Sequence, residues 1–516
     1  MNRIKTLSLF PLLLLTALSL AGCSGSKNRC TSNCGTAAAT VSLTLVADTL
    51  PASPSLISYK VTVTQVTVTP TTGTAFTFTP NPAPVFELLR LQSDSAFIAT
   101  LLNVPSGTYS SITLSLGSPQ ITFLNNTSAT ITNASAASVS GTCVVGAICT
   151  ISPSVSGMPQ VSAAPFPITL ASSAKIGLGI DFNLSNSITV TNGTMTVTFT
   201  PTTAGVHVLS AFNLPRNSNL TGNQLDLIED FVGVVSISGQ NVTLTSQTRG
   251  TLTALTTANT VYDPDPSGSL CGTPSSACVV AKQVASVDAI LNSDGTLSIQ
   301  EFEPLLSAQL DVVEGTVVAV NQSNLTQFTI VTTDKVQAAT NSLIGGLKVG
   351  DPLTLTIVQN PNLFLVDQKG LPVSQSFAGI FSNFANATNT GAIHPGQTVA
   401  VHVTSFLAAT ASAPASSNTD TLTLRWSRLT ASPTSQPGPT FNFINIPGYF
   451  NLSSSTSFEA QTFVGTAGAR GVTNLEGIAD VTAINDTKPI ALRALYLQNT
   501  TNSQAPVFFA AKVRQH

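Results

Sequence analysis

The stretch that decides the fold is Ile188-Thr189-Val190-Thr191-Asn192-Gly193-Thr194-Met195-Thr196-Val197-Thr198-Phe199. Apolar side chains fall on alternate residues on both sides of Asn192-Gly193, the period of a pleated strand with one face buried. Asn-Gly supplies the two positive-φ positions of a type I′ turn, so the two runs are predicted to fold on each other as a hairpin. The alternation continues outward, in Val41-Ser-Leu43-Thr-Leu45, in Ile112-Thr-Leu114-Ser-Leu116, and through Ile176, Leu178, Ile180, Phe182 and Leu184. Val61-Thr-Val63 and Val66-Thr-Val68 alternate one position out of phase, which predicts a β-bulge near Gln65. Only Phe86 to Leu91, with Phe97 to Leu102, has a helical flavour. The expected class is all-β and multidomain: an N-terminal β-sandwich over 41–220, followed by tandem small β-barrel or β-sandwich domains.

The second half repeats a turn-then-strand pattern. Gly233-Val-Val235 precedes Gly239-Gln-Asn-Val242-Thr-Leu244, and Gly315-Thr-Val317 precedes Phe328-Thr-Ile330. Gly350-Asp351-Pro-Leu353-Thr-Leu355 and Gly396-Gln397-Thr-Val399-Ala-Val401 share the pattern. The spacing is uneven, so a solenoid of fixed period is excluded. Boundaries are expected at 221–306, 307–372 and 373–516, with Ser/Thr/Pro-rich joints such as Ala411 to Thr419. Thr421 to Trp426 and Leu492 to Leu497 are strand candidates in the last region.

Hydrophobic residues make up 42% of the 516 and charged residues 8%, against about 25% charged in an average soluble protein. There is ample material for cores, and the chain is not of the disordered kind. Ser, Thr and Asn take the surface role usually filled by Lys and Glu. The net charge is −3 and no basic run follows the leader, which argues against nucleic-acid binding.

Asn2-Arg3-Ile4-Lys5 and the apolar run Leu7 to Leu20 have the layout of a secretory signal peptide over 1–22. Leu20-Ala21-Gly22-Cys23 resembles the bacterial lipobox. That resemblance implies a Cys23 acylated as the first mature residue, a flexible tether over 23–40, and a membrane partner held through lipid. Ser24 in place of Asp implies, by the same analogy, an exported outer-membrane lipoprotein facing the cell surface or the periplasm.

The other six Cys form three close pairs, Cys30/Cys34, Cys143/Cys149 and Cys271/Cys278. In an oxidising compartment local disulfides are the default reading. His207, His394, His402 and His516 lie away from these pairs, so a zinc site is not expected.

Three segments together resemble an uncharacterised domain of bacterial surface lipoproteins. They are Val85-Phe86-Glu87-Leu88-Leu89, Leu102-Asn-Val104-Pro105-Ser-Gly107-Thr-Tyr109 and Ile180-Asp181-Phe182-Asn-Leu184. The resemblance implies a prealbumin-like or immunoglobulin-like sandwich over 41–200, and no activity. The later Gly-led strands resemble short β-barrel repeats of unknown function.

Asn292-Ser-Asp294-Gly295 with Glu301 matches part of a calcium loop, yet Ile290 stands where the first ligand belongs. Asn292, Asp294 and Glu301 are therefore calcium candidates beside a simpler hairpin reading, which is preferred. Asp263-Pro-Asp265 reads as a solvated turn. Asp226, Glu229 and Asp230 read as an acidic domain boundary. Arg425-Trp426-Ser-Arg428 reads as a core Trp with flanking Arg reaching solvent. No nucleophile elbow, phosphate loop, zinc-protease or dinucleotide motif occurs, and no cofactor is expected. The reading is a non-enzymatic, lipid-anchored envelope protein that displays β-domains to an unidentified extracellular or envelope ligand. The alternative is a periplasm-facing accessory or carbohydrate-active protein.

Overall fold

The computed structural model describes residues 38–47, 54–133, 135–136, 142–152, 160–162, 166–182, 184, 188–197, 206–210, 224–262, 271, 273–292, 294–306, 310–338, 341–358, 363–367, 375–410, 413–435, 438–452, 456–463, 472–498 and 506–515. Cys23, Cys30, Cys34, Asp263 and Asp265 lie outside them.

The first domain uses β1 (Ala39–Ala47), β2 (Ser55–Pro70), β3 (Phe76–Phe78), β4 (Val85–Glu87), β5 (Ala96–Val104), β6 (Gly107–Leu124), β7 (Ser135–Ala136), β8 (Ile148–Ile151), β9 (Gln160–Val161), β10 (Ile168–Leu170), β11 (Lys175–Phe182), β12 (Ile188–Thr191), β13 (Thr194–Val197) and β14 (Val206–Ser210). One sheet runs β14-β11-β1-β5. The other runs β3-β2-β6-β8-β7, with β4 on β2, and β9 and β10 on β6. Leu43, Leu45 and Ile180 of the first share one core with Val61, Leu114 and Phe123 of the second. Val63 lies opposite Leu116 and Gln65 opposite Ser115, so Thr64 is the extra residue of a bulge. That bulge is what keeps Val61, Val63, Val66 and Val68 all buried. β12 and β13 pair from Ile188–Val197 to Thr191–Thr194 around Asn192 (φ 50°) and Gly193 (φ 74°). Tyr109 Oη donates to the Pro105 carbonyl at 2.6 Å, a tie of the kind that closes sandwich corners. The helical expectation fails for Phe97 to Leu102, which lie in β5. Only Arg90–Gln92 coil, as a short 3-10 turn. Pairing along β1 decides this in favour of strand.

Among the described residues eighteen further strands follow. They are β15 (Gln224–Ser238), β16 (Asn241–Ser246), β17 (Gly250–Leu255), β18 (Val261–Tyr262), β19 (Val284–Asn292) and β20 (Leu297–Leu306); β21 (Val312–Val320), β22 (Gln327–Val336), β23 (Pro352–Ile357), β24 (Leu363–Val366), β25 (Thr398–Leu407) and β26 (Ala415–Arg425); β27 (Ser427–Ser435), β28 (Thr440–Ile444), β29 (Phe458–Gln461), β30 (Asn474–Glu476), β31 (Ile490–Leu497) and β32 (Val507–Arg514). Each set of six has the same order, third-second-first-fifth-sixth-fourth, with the third and sixth strands meeting in parallel. The second set closes over a run from Leu353–Ala415 to Ile357–Thr419, and the third from Glu459–Val507 to Gln461–Phe509. The first meets at the single pair Leu255–Ser298. A three-strand meander, a helix-bearing crossover and a last strand parallel to the third is the connectivity of an OB-type barrel. In the second barrel that crossover holds α1 (Gln375–Ala385), whose Ile380, Phe381 and Phe384 enter the core.

The expected boundary at 372/373 falls inside the second barrel, which needs β25 and β26 to close. Ala411 to Thr419 is likewise no interdomain joint: Ala415 to Thr419 begin β26 and pair with β23. The third barrel starts at Ser427, one residue after Trp426.

Cys143–Cys149 and Cys271–Cys278 are disulfides, with Cα atoms 5.9 and 5.7 Å apart.

Candidate functional site

Among the described residues, a network of buried charged side chains gathers where the four domains meet. The site begins with a defect in β15. Its pairing with β19 breaks between Ile228 and Phe231, leaving Glu229 and Asp230 as the bulged pair. Asp230 takes a left-handed φ of 51°, a conformation Asp and Asn tolerate better than most residues. Its N–H is held by Asp288 Oδ1 at 2.8 Å. A bulge re-aims side chains away from the regular ladder, and here it turns two carboxylates toward the other domains.

Three arginines converge on Asp230: Arg425 Nη2 at 3.3 Å, Arg428 Nη2 at 2.6 Å and Arg493 Nη2 at 2.5 Å. Glu229 accepts from Arg493 at 2.6 Å and Lys512 at 3.0 Å. Arg425 also reaches Asp367 at 2.7 Å and Glu303 at 3.4 Å. Arg428 reaches Asp94 of the sandwich at 2.5 Å. Arg90 of the sandwich reaches Glu314 of the second barrel at 2.6 Å. Arg249 pairs with Asp334 at 2.8 Å. The first barrel supplies mainly acids and the third mainly cations, while the second supplies both.

Burial disfavours charge here, and at Asp94, Glu314, Glu229, Arg425 and Arg493 the direction of the pKa reports which effect wins. At Asp94 burial is outweighed by Arg428, Arg493 and Arg90, and the pKa falls below the usual carboxylate range. Glu314 falls likewise, against burial, through Arg90, Arg428 and Arg425. At Glu229 burial dominates and the pKa rises despite Lys512 and Arg493. Arg425 is pushed up, against burial, by Asp367, Glu303 and Asp230. Arg493 rises for the same reason through Asp230 and Glu229.

Glu229 and Asp230, read as part of an acidic domain boundary, are buried at the domain junction. Trp426 is a core residue, fully buried, with the Arg493 guanidinium 5.4 Å from its ring centre. One sequence expectation is corrected here: its neighbour Arg425 is buried and the Arg428 side chain is only 7% exposed, because acids from three domains surround them. Sequence reading missed this hub because its members are scattered from residue 90 to residue 514. The one local signal was the pairing of two Arg around the single Trp.

A crevice beside the hub is lined by Glu87, Arg90, Asp94, Glu229, Arg249 and Asp334, among others. Glu87 belongs to the Val85–Leu89 segment. Its two oxygens accept the backbone N–H of Tyr59 at 2.6 Å and of Arg90 at 3.0 Å. Burial raises its pKa to about 7, against those hydrogen bonds and Arg90. The crevice thus holds two carboxyls pushed up, Glu87 and Glu229, and one, Asp94, pushed down.

The calcium candidates are separated. Asn292 and Asp294 sit in the β19–β20 hairpin turn, where Asp294 Oδ1 accepts from Thr296 N at 2.9 Å and Thr296 Oγ1 at 2.6 Å. Glu301 lies along β20, opposite Asp288. Gly295 (φ 74°) lets this turn dock on the sandwich, its carbonyl accepting from Ser42 Oγ at 2.8 Å. Among the described residues no group of three His, Cys, Asp or Glu is arranged to hold a metal. His394 lies in the turn before β25, and His402 Nδ1 pairs with Asp420 at 2.7 Å.

A second surface is set by the OB-type connectivity. The outer face of the β16–β17 hairpin carries Asn241, Thr243, Thr245, Thr251 and Thr253, with Thr243 and Thr253 hydroxyls 2.9 Å apart. These are hydrogen-bonding groups without charge.

Residues 38–201 match the family model of a domain of unknown function (DUF4382). No curated protein and no solved structure matches the chain.

Proposed function

We propose that the protein is a lipid-anchored envelope protein without enzymatic activity, which presents its four β-domains as one body for binding or adhesion. The anchor rests on the sequence of residues 2–23. The observation that carries the display reading is the hub itself. Among the described residues, Asp94, Glu229, Asp230, Arg425, Arg428 and Arg493 are engaged with one another at the domain junction. The outward strands of the first barrel offer hydroxyls and amides instead, which suit a neutral, hydrogen-bonding ligand such as a glycan better than an ionic one. Protease shaving of intact cells, with Cys23→Ser as the anchoring control, tests this. Cleavage on whole cells together with release of the variant is the expected result. Resistance until the outer membrane is opened would move the body to the periplasm.

A second reading, a carbohydrate-active protein, draws on the crevice. Glu87 and Asp94 line it with pKa values displaced in opposite directions, the pattern an acid–base pair needs. Hydrolysis of a polysaccharide panel by the purified protein, abolished in Glu87→Gln, would establish that reading and end the first.

A further inference from the structure

We infer that the last strand, β32, is a clasp: its two outward cations lock the sandwich and the first barrel onto the other two barrels. The protein therefore has an unlocked form in which each domain keeps its fold while the hub stands open. β32 has two faces. Phe508, Ala510 and Val513 belong to the core of the third barrel. Lys512 and Arg514 point the other way and are also buried. Lys512 Nζ lies 3.0 Å from Glu229 of the first barrel and 3.0 Å from Glu476 of its own. Arg514 Nη1 donates to the carbonyls of Leu91 at 2.8 Å and Gln92 at 3.0 Å, in the 3-10 turn of the sandwich. Such turns leave carbonyls in need of a donor, and a residue more than 420 positions away supplies it.

The apolar cores make this joint the weak one. The second and third barrels share packing: Trp426, Leu495, Leu497 and Phe509 all lie in the second barrel's core cluster. Fewer apolar residues cross from the sandwich or the first barrel: Ile57, Leu124 and Ile148 reach the third barrel's cluster, and Val336 of the second packs with Val232 and Leu305 of the first. What holds the two halves is mainly charge, and a buried charge that loses its partner costs far more than the pair gains. Removing the clasp cations leaves Glu229 with Arg493 and takes both cations from the buried Glu476 of the third barrel, which Arg514 Nη2 meets at 2.8 Å; opening the joint to water relieves Glu229.

The test uses the full chain. Lys512→Met/Arg514→Met keeps the apolar stems and the strand while deleting both charges. Glu229→Gln weakens the same contact from the first barrel and leaves β32 untouched. Small-angle scattering, far-UV circular dichroism, calorimetry and emission of the single Trp426 are read on all three proteins. A compact chain of this length has a radius of gyration of about 24 Å. Unchanged dichroism, a radius larger by roughly a fifth or more and a single thermal transition split in two are expected for both variants. Since Trp426 sits in the shared core of the second and third barrels, its emission should stay that of a buried indole. If both variants keep the wild-type radius and one transition, the clasp is overturned. If the double variant loses its dichroism, the third barrel needs those residues to fold, and Glu229→Gln decides between the same two outcomes.

Discussion

Asp230 is the residue on which the domain junction turns. Three guanidinium groups from two barrels share its carboxylate, and its left-handed backbone is one that Asn also adopts readily. Asp230→Asn therefore removes charge without adding backbone strain. Denaturant unfolding is expected to show a loss of about 3–5 kcal/mol, the usual cost of breaking a buried ion pair from one side. A loss below about 1 kcal/mol would mean that neighbouring acids compensate. Glu87 makes a different prediction. Its folded pKa of about 7 lies above its ordinary 4.5, so the folded state holds a proton that the unfolded state releases. The stability this provides is complete below pH 4.5 and is lost as pH rises through 7, about 3 kcal/mol in all. Glu87→Gln stays neutral throughout, so relative to wild type it should gain that amount between pH 4.5 and 7. His394 has the opposite sign: burial lowers its pKa to about 4, so its contribution is present above 6.5 and is lost as pH falls through 4. A pH series of unfolding midpoints on wild type and Glu87→Gln separates the two.

At the scale of the element, a side chain of one barrel replaces a missing side chain of another. Gly396 (φ 92°), in the turn before β25, has no Cβ, and the ring of Phe450 from the third barrel occupies that space. Gly239 (φ 62°), in the β15–β16 turn, faces open space. Gly396→Ala and Gly239→Ala carry similar backbone strain, about 1 kcal/mol. Only the first must displace an aromatic ring, so its thermal midpoint should drop by several degrees more. Equal drops would show that the ring shifts without cost. Strands and turns of this kind were legible in the sequence because they are local. Asn192-Gly193 sets its hairpin, and the phase slip between Val63 and Val66 forces the bulge at Thr64. Barrel closure was not legible, since the parallel contact of β23 with β26 joins residues some sixty apart and shows no periodic mark. α1 was missed because its Phe and Ile spacing stands inside a Ser/Thr-rich region that reads as loop. The hub was least legible of all, because pairing of lone charges across four domains depends on the fold already being known.

For the whole molecule, one barrel connectivity used three times poses a problem of identity. Joints made only of apolar residues would let equivalent faces exchange, whereas an acid-rich first barrel and a cation-rich third distinguish them. Because these charges are buried, bulk ions screen them little. Raising salt from about 0.05 M to about 0.5 M should leave the thermal midpoint within roughly 2 °C, whereas surface-paired domains would weaken. A larger fall would show that the junction is wetter than its geometry indicates. The contact of Arg514 with Leu91 and Gln92 also decides how the molecule answers to traction. It brings the far end of the chain back to the first domain, so the body is a closed loop of domains instead of a string. A pull between the first domain and the third barrel would bypass the first and second barrels and pass straight through that junction. Rupture there would free a slack length of folded barrels, lengthening the reach in one step before any barrel unravels.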